Sequence, residues 1–312
     1  MVNGINLTFQ FLDSFAFIVL AAAGLAVIFG IMGVINLAHG EFILVGAYAT
    51  TLAVSHLGLP LPGAMVAGVL VTAAFGVVVE RVVISGVVPN AIGQAALDRD
   101  LVDPLYNRLA DSMVATFGLS LMMVQGARIV FGNSIDQIET PFGNVAYGAF
   151  SYSTYRLVLA GISVCVLVGT YLLFTRTEYG MRARATIQDE ATARALGVDT
   201  DRTYMITFAI GSGLAGLTGA LFAPLLSMQP TLGGQFLVEA FVAVVVGGSS
   251  VVLGTVLSGG LLGAIEASFS NLYGTFFGRI ALLIAAMIAL RFLPEGITGL
   301  VEQARARRRE RE

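Results

Sequence analysis

The 312-residue sequence is 56% hydrophobic and only 12% charged, with a mean hydropathy of +0.85. Soluble domains carry about 25% charged residues, and disorder requires low hydrophobicity with high charge, so both classes are excluded. The formal net charge of −3 gives no reason to expect nucleic acid, and at ~20 apolar residues per span the chain has room for about eight to ten transmembrane helices.

The stretch from Ser14 to Ala38 carries no charged side chain, and Phe15 to Gly33 predicts the first span. The next uncharged run, between Glu41 and Glu80, is interrupted by Pro60 and Pro62. Proline fixes φ and removes an amide hydrogen, so this run predicts two spans, about 42 to 58 and 61 to 79. Glu80 to Asp111 is a polar loop with room for one short interfacial helix. A fourth span follows at about Met113 to Phe131. The linker 132–156, with Tyr147, Tyr152 and Tyr155, has the composition of an interfacial turn with aromatic anchors.

Leu157 to Thr175 is the fifth span. The loop 176–202 holds Arg176, Arg182, Arg184, Arg194 and Arg202 and is expected to be cytoplasmic by the positive-inside rule. Within it, Arg182 to Leu196 favours a helix closed by Gly197. A sixth span runs to about Phe222, followed by a turn or re-entrant piece around Pro224, Pro230 and Gly233-Gly234. A glycine-dense region, Glu239 to Glu266, precedes the last span, Arg279 to Leu293. The arginine-rich tail, 294–312, is expected on the cytoplasmic side. The N-terminus lacks the basic region and cleavage site of a signal peptide. The fold class is therefore all-α: one polytopic membrane domain over 1–312, with about eight to nine transmembrane helices and broken or re-entrant segments.

Composition also removes chemistry. All 17 basic residues are arginine, so the phosphate-loop pattern GxxxxGK[ST] is impossible and this chain does not bind ATP that way. The lone cysteine, Cys165, excludes an internal disulfide. His39 and His56 cannot by themselves form a zinc site. No cofactor is expected.

Three patterns stand out. In Gly30 to Phe42, the polar residues Asn36, His39 and Glu41 interrupt two apolar runs. Either a helix break faces the interior, since broken backbone survives in a bilayer only where protein or water satisfies it, or a tight interfacial turn is capped by Asn36 and Glu41. The second pattern is glycine: Gly211, Gly213, Gly216 and Gly219, then Gly247, Gly248, Gly254, Gly259, Gly260 and Gly263. Such spacing suits close helix packing, and it also suits helices lining a narrow path. Glu239 and Glu266 flank this region at an interface or on a pathway. The third pattern is the loop from Arg176 to Val198, whose arginines follow from topology alone or mark a docking element for a soluble partner.

Together, Gly33-Val-Ile-Asn-Leu-Ala-His-Gly-Glu-Phe, Arg-Thr-x-x-Gly-x-x-x-Arg-Ala from Arg176, Ala-x-x-Leu-Gly-Val from Ala193 and the run Ala240 to Gly248 resemble the permeases of ABC importers for branched-chain amino acids and for urea or short-chain amides. The terminal Arg291-Phe-Leu-Pro-Glu-Gly-Ile is similar to that family's closing motif, with altered spacing. The resemblance covers nearly the whole chain. It implies a translocation path at Asn36, His39, Glu41, Glu239, Gly247 and Gly248, and an ATPase-coupling segment at Gly180, Arg182, Arg184, Glu190, Arg194 and Gly197. It further implies a second permease subunit, two cytoplasmic ATPase subunits, an external solute-binding protein and a lipid bilayer as partners.

On substrate, Pro230 to Phe241 and Gly148 to Leu157 lean slightly toward the urea branch. Two other classes fit less well. An ion-coupled secondary transporter needs acids well inside spans, whereas these cluster at predicted span ends. An intramembrane serine protease at Ser212 needs a base within reach, and both histidines precede that serine in the chain.

Overall fold

The computed structural model describes residues 2–97, 102–106, 108–147, 150–248, 250–293 and 296–300. Its helices are α1 (Val2–Met32), α2 (His39–Ser55), α3 (Leu61–Val79), α4 (Val87–Leu97), α5 (Leu109–Phe131), α6 (Thr154–Arg176), α7 (Glu178–Gln188), α8 (Glu190–Ala195), α9 (Thr200–Phe222), α10 (Gly233–Gly247), α11 (Val251–Tyr273) and α12 (Thr275–Phe292). Among the described residues, 7 helices are long and apolar enough to cross a membrane. The 17-residue α2 and the 15-residue α10 are shorter. At 1.5 Å per residue, α2 rises about 25 Å, less than the ~30 Å hydrocarbon layer. The tail from 301 onward lies outside the described residues, as do Pro294 and Glu295.

Three local expectations are revised. The linker 132–156 forms an antiparallel hairpin, β1 (Asn144–Tyr147) with β2 (Phe150–Ser153), in which Val145 pairs with Tyr152. Alternating apolar and small polar residues suit that pleat. The helix expected over Arg182 to Leu196 is interrupted, because Asp189 takes an extended conformation and begins a new helix, α8. The spans read as starting at about residue 42 and at Phe15 start earlier, at His39 and Val2.

The chain divides into two compact units: Met1–Ala26, Glu139–Thr170 and Val238–Glu312 form one, and Val27–Ile138 with Tyr171–Leu237 form the other. In the second unit, α2, α3 and α9 pack together, and glycine sets their separation. A Cβ added at Gly46 would lie 2.5 Å from Gly216 Cα, and one at Gly219 would lie 2.7 Å from Ala47 N. Gly216 in turn meets Thr72 of α3, and Gly76 meets Ser212 of α9. Close backbone approach of this kind maximises dispersion contact where lipid supplies no hydrophobic drive. Aromatic edges fill the space between, with Phe42 against Phe75 and Phe208. Ser212 is thus a buried packing residue.

In the first unit, α11 and α12 pair along their length, and Gly259 and Gly263 of α11 admit Val19 and Phe15 of α1. The polar face at the start of α1 is matched locally. Asn6 donates to Asn271 at 3.0 Å, Asp13 forms an ion pair with Arg156, and Tyr152 of the hairpin donates to Phe9 O at 3.0 Å.

Candidate functional site

Gly33, at φ +61°, ends α1, and the chain runs without helix to His39. This break is buried: Val34, Asn36, Ala38 and His39 are all almost fully enclosed. At such depth every freed backbone group needs a protein partner. The Asn36 side-chain oxygen accepts from Ala38 N at 3.0 Å, making a local turn. Two further amides are met by α5. Ile35 N donates to Ser112 Oγ at 3.3 Å and Leu37 N to Thr116 Oγ1 at 3.0 Å. Each hydroxyl donates back into its own helix, to Leu109 O at 2.9 Å and Ser112 O at 2.7 Å.

Ser112, Thr116 and Ser120 recur every four residues, so they share one face of α5, and Ser120 hydrogen-bonds Glu41. Asn36 makes a turn ahead of α2, whose N-cap, Ala38, carries no side-chain capping bond, and the break is buried.

Several buried polar atoms along this seam have no hydrogen-bond partner among the described residues: Asn36 Nδ2, Glu41 Oε2, Tyr48 Oη and Thr51 Oγ1. Glu41 and Tyr48 are seven residues apart and share a face of α2, and the Tyr48 ring meets Phe131 of α5 with centroids 5.1 Å apart. Unsatisfied polar groups at bilayer depth cost free energy and mark function. Tyr48, Ser112, Thr116 and Ser120 were missed in the sequence. The four-residue spacing of hydroxyls in an otherwise apolar span was the available signal.

Glu239, Gly247 and Gly248 lie in the other unit, Glu239 in the middle of α10 and the two glycines at its end. Arg279 Nε lies 3.1 Å from Glu239 Oε1. Glu239 and Glu266 sit inside α10 and α11, which corrects the expectation that acids cluster at span ends; Glu266 is hydrogen-bonded by Ser14. Glu239 and Glu266 thus each have one local partner, although the Glu239 Oε2 atom, like Glu41 Oε2, has no hydrogen-bond partner among the described residues. Gly247 and Gly248 close α10. A Cβ on Gly247 would lie 2.7 Å from Gly254 C, Gly248 has φ +88°, and Thr298 donates to Gly247 O at 2.9 Å. Their glycine identity follows from this junction.

The segment 176–202 builds a platform on the second unit. Thr177 caps α7 by accepting from Gly180 N at 3.1 Å, and Gly180 lies so close to the end of α6 that a Cβ would sit 2.5 Å from Leu173 O. Asp189 caps α8 by accepting from Thr192 N at 3.1 Å and Thr192 Oγ1 at 2.6 Å. Those bonds, side chain first, hold its carboxyl below the usual carboxylate range. Gly197, at φ +87°, terminates the helix as expected for a C-cap glycine.

Arg182 and Arg184 point outward, and Arg182 pairs only loosely with Glu178, at 3.6 Å. Arg194 has an internal role: it reaches Glu190 at 3.0 Å, Thr200 Oγ1 at 2.7 Å and Asp201 at 3.1 Å. Met181, Ile187 and Leu196 are exposed beside the outward arginines, Leu196 at 80%. Apolar and arginine side chains together are the composition of a protein-binding surface.

Among the described residues no group of His, Cys, Asp and Glu could hold a metal ion. A groove of about 620 Å³ between α11 and α12, lined by Ile265, Phe269, Tyr273, Phe277, Ile284 and Ile288, is apolar and suits lipid chains rather than a polar solute.

Seven helices among the described residues that are long and apolar enough to cross a membrane, a buried polar break and an exposed charged platform define a multi-pass membrane protein without a phosphate-loop lysine. The chain belongs to the family described as "Branched-chain amino acid transport system / permease component", whose model matches residues 7–292. It is 29% identical to the high-affinity branched-chain amino acid transport system permease protein BraD of Pseudomonas aeruginosa, over 91% of this chain and 92% of that protein. It is 26% identical to the high-affinity branched-chain amino acid transport system permease protein LivH of Escherichia coli K12, over 97% and 95%. A shorter likeness, 27% identity over 54% of this chain and 56% of the relative, links it to the ribose import permease protein RbsC of Bacillus subtilis. No solved structure matches the chain. The chain is therefore a permease subunit of an ABC importer.

Proposed function

We propose that this permease carries branched-chain amino acids across the plasma membrane, with the α2–α5 seam as part of the path. The named relatives support that substrate over the urea branch toward which two sequence segments leaned. The observation that carries the path assignment is the row of buried, unpartnered polar atoms at Asn36, Glu41, Tyr48 and Thr51. A zwitterionic solute offers an ammonium to Glu41 and a carboxylate to the Tyr48 and Thr51 hydroxyls. Contacts there need only be weak, because tight binding in the membrane would slow release. His39 orients the start of α2, and Glu239, Gly247 and Gly248 form a second lining region.

The assembly is a pair of permease subunits, two cytoplasmic ATPase subunits and an external solute-binding protein. The ATPase docks on α7 and α8 through Arg182, Arg184 and the exposed apolar side chains, while Gly180, Glu190, Arg194 and Gly197 hold that surface in shape. The loop 176–202 and the C-terminal tail then lie on the cytoplasmic side.

Uptake of labelled leucine and urea by the assembled complex tests the substrate. Alanine at Asn36, His39 and Glu41, assayed after confirming assembly, tests the path. Wild-type uptake in all three variants would assign the cluster to scaffold. The purified chain alone should hydrolyse no ATP.

A further inference from the structure

A second polar network, separate from the helix break, lies under the α7–α8 platform. The Tyr204 ring is enclosed on α9, at 2% exposure, and its hydroxyl donates to Glu190 Oε2 of α8 at 3.1 Å. The same ring packs at a tilt against Tyr106, with centroids 4.3 Å apart. Tyr106 donates to the buried Glu80 Oε1. Glu80 opens a π-helical segment, Glu80–Ile84, that continues α3. The neighbouring Arg81 donates to Met205 of α9 at 3.1 Å. Burial and the Glu80 carboxylate both raise the Tyr106 phenol far above its ordinary range, so it acts as a donor at any physiological pH.

One turn further along α9, Phe208 meets Phe42, with centroids 5.8 Å apart. Phe42 directly follows Glu41 of the helix break. Residues four apart share a helix face, so Tyr204 and Phe208 place the platform and the break on one stripe of a single helix. The platform is tied to α9 at two further points, Tyr179 to Thr207 at 2.7 Å and Arg194 to Thr200 at 2.7 Å. A π-helical turn is rare and is often found at functional positions, and here it sits where α3 ends, at Glu80–Ile84. Coupling between sites requires an element with two states.

We infer that Tyr204 is a coupling residue: movement of α8 is delivered through the Glu190–Tyr204 hydrogen bond to α9, and through the Tyr106–Glu80 clamp to the π-helical end of α3. This rests on the reading that α7 and α8 receive the ATPase. Phenylalanine at 204 keeps the ring contact and loses only the hydrogen bond, so it separates coupling from packing.

The test uses the complete complex in proteoliposomes and measures solute taken up per ATP hydrolysed. Tyr204→Phe is expected to lower that ratio at least fivefold, with the ATPase rate within twofold of wild type and thermal unfolding unchanged. Glu190→Ala should lower the ratio equally, and the double variant should be no worse than either single one. Glu190→Gln, which still offers an acceptor, should retain at least threefold more coupling than Glu190→Ala. Tyr106→Phe removes the other half of the relay and should reduce coupling where Tyr204→Phe fails to assemble.

Wild-type coupling in Tyr204→Phe or, failing its assembly, in Tyr106→Phe overturns the relay. So do multiplicative effects in the Glu190→Ala/Tyr204→Phe double variant. If the Arg182→Glu/Arg184→Glu complex holds its ATPase as tightly as wild type, the docking reading itself fails, and the relay with it.

Discussion

The helix break depends on two hydroxyls of α5, and their removal has a calculable consequence. In Thr116→Val the shape is nearly kept, but the Leu37 N–H, 3.0 Å from Thr116 Oγ1, loses its acceptor in a water-poor interior. Stranding a buried donor costs about 1–3 kcal/mol, while hydrogen bonds between membrane helices average ~0.6 and reach ~1.7 kcal/mol. The overlap of these ranges sets the expected loss at about 1–1.5 kcal/mol. Adding Ser112→Ala strands Ile35 N as well and brings the total to about 1.5–2.5 kcal/mol if the two losses add. The Ile35 bond, at 3.3 Å, is the longer and contributes the smaller part. Reversible unfolding in mixed micelles measures the loss, and Thr116→Ser, which keeps the oxygen, should recover most of it. Wild-type stability in the double variant would mean that the break is satisfied in some other way and that α5 does not hold it.

Four further outcomes follow from the surroundings of particular residues. Gly219→Ala forces a methyl to within 2.7 Å of Ala47 N, where no side chain can yield, and should destabilise by about 3 kcal/mol or more. Gly260→Ala meets nothing within 4 Å and should stabilise α11 by about 0.5–1 kcal/mol, both changes being read by the same unfolding assay. Because the Asp189 carboxyl is held below its ordinary 3.8, its support of α8 is present above that value and lost as pH falls through the lower folded value. Hydrogen exchange of the amides of 190–196 should therefore be unchanged between pH 5 and 8 after correction for intrinsic rates, but faster at every pH in Asp189→Ala. Arg279→Met leaves the Glu239 carboxylate, 8% exposed, without its cation. It should cost about 2 kcal/mol after discounting for the half-exposed arginine. The Glu239→Gln/Arg279→Met pair should recover much of that loss, and no recovery would mean that the ion pair is not what keeps Glu239 in place.

The sequence alone determined the solvent this chain folds in, the approximate position of its long spans and the absence of a phosphate-loop lysine. Those properties are sums over composition or follow from single residues: uncharged runs, prolines at turns, and a basic complement made wholly of arginine. It also marked Asn36, His39 and Glu41 as unusual and Gly197 as a helix stop, because polar groups in an apolar run and a glycine after a helical one are local signals.

Partnership was decided by tertiary structure. Nothing near Asn36 in the chain indicates that Ser112 and Thr116, far along it, satisfy the backbone on either side. Arg194 reads like Arg182 in sequence and both are exposed, yet Arg194 ties α8 to the start of α9 while Arg182 pairs only loosely with Glu178. Glu190 gains its meaning only when Tyr204 and Tyr106 are brought beneath it. The physical reason is the same throughout. The bilayer fixes what must be buried by transfer free energy, which each residue contributes alone. Hydrogen bonds and ion pairs inside it depend on which helices the glycine contacts allow to meet.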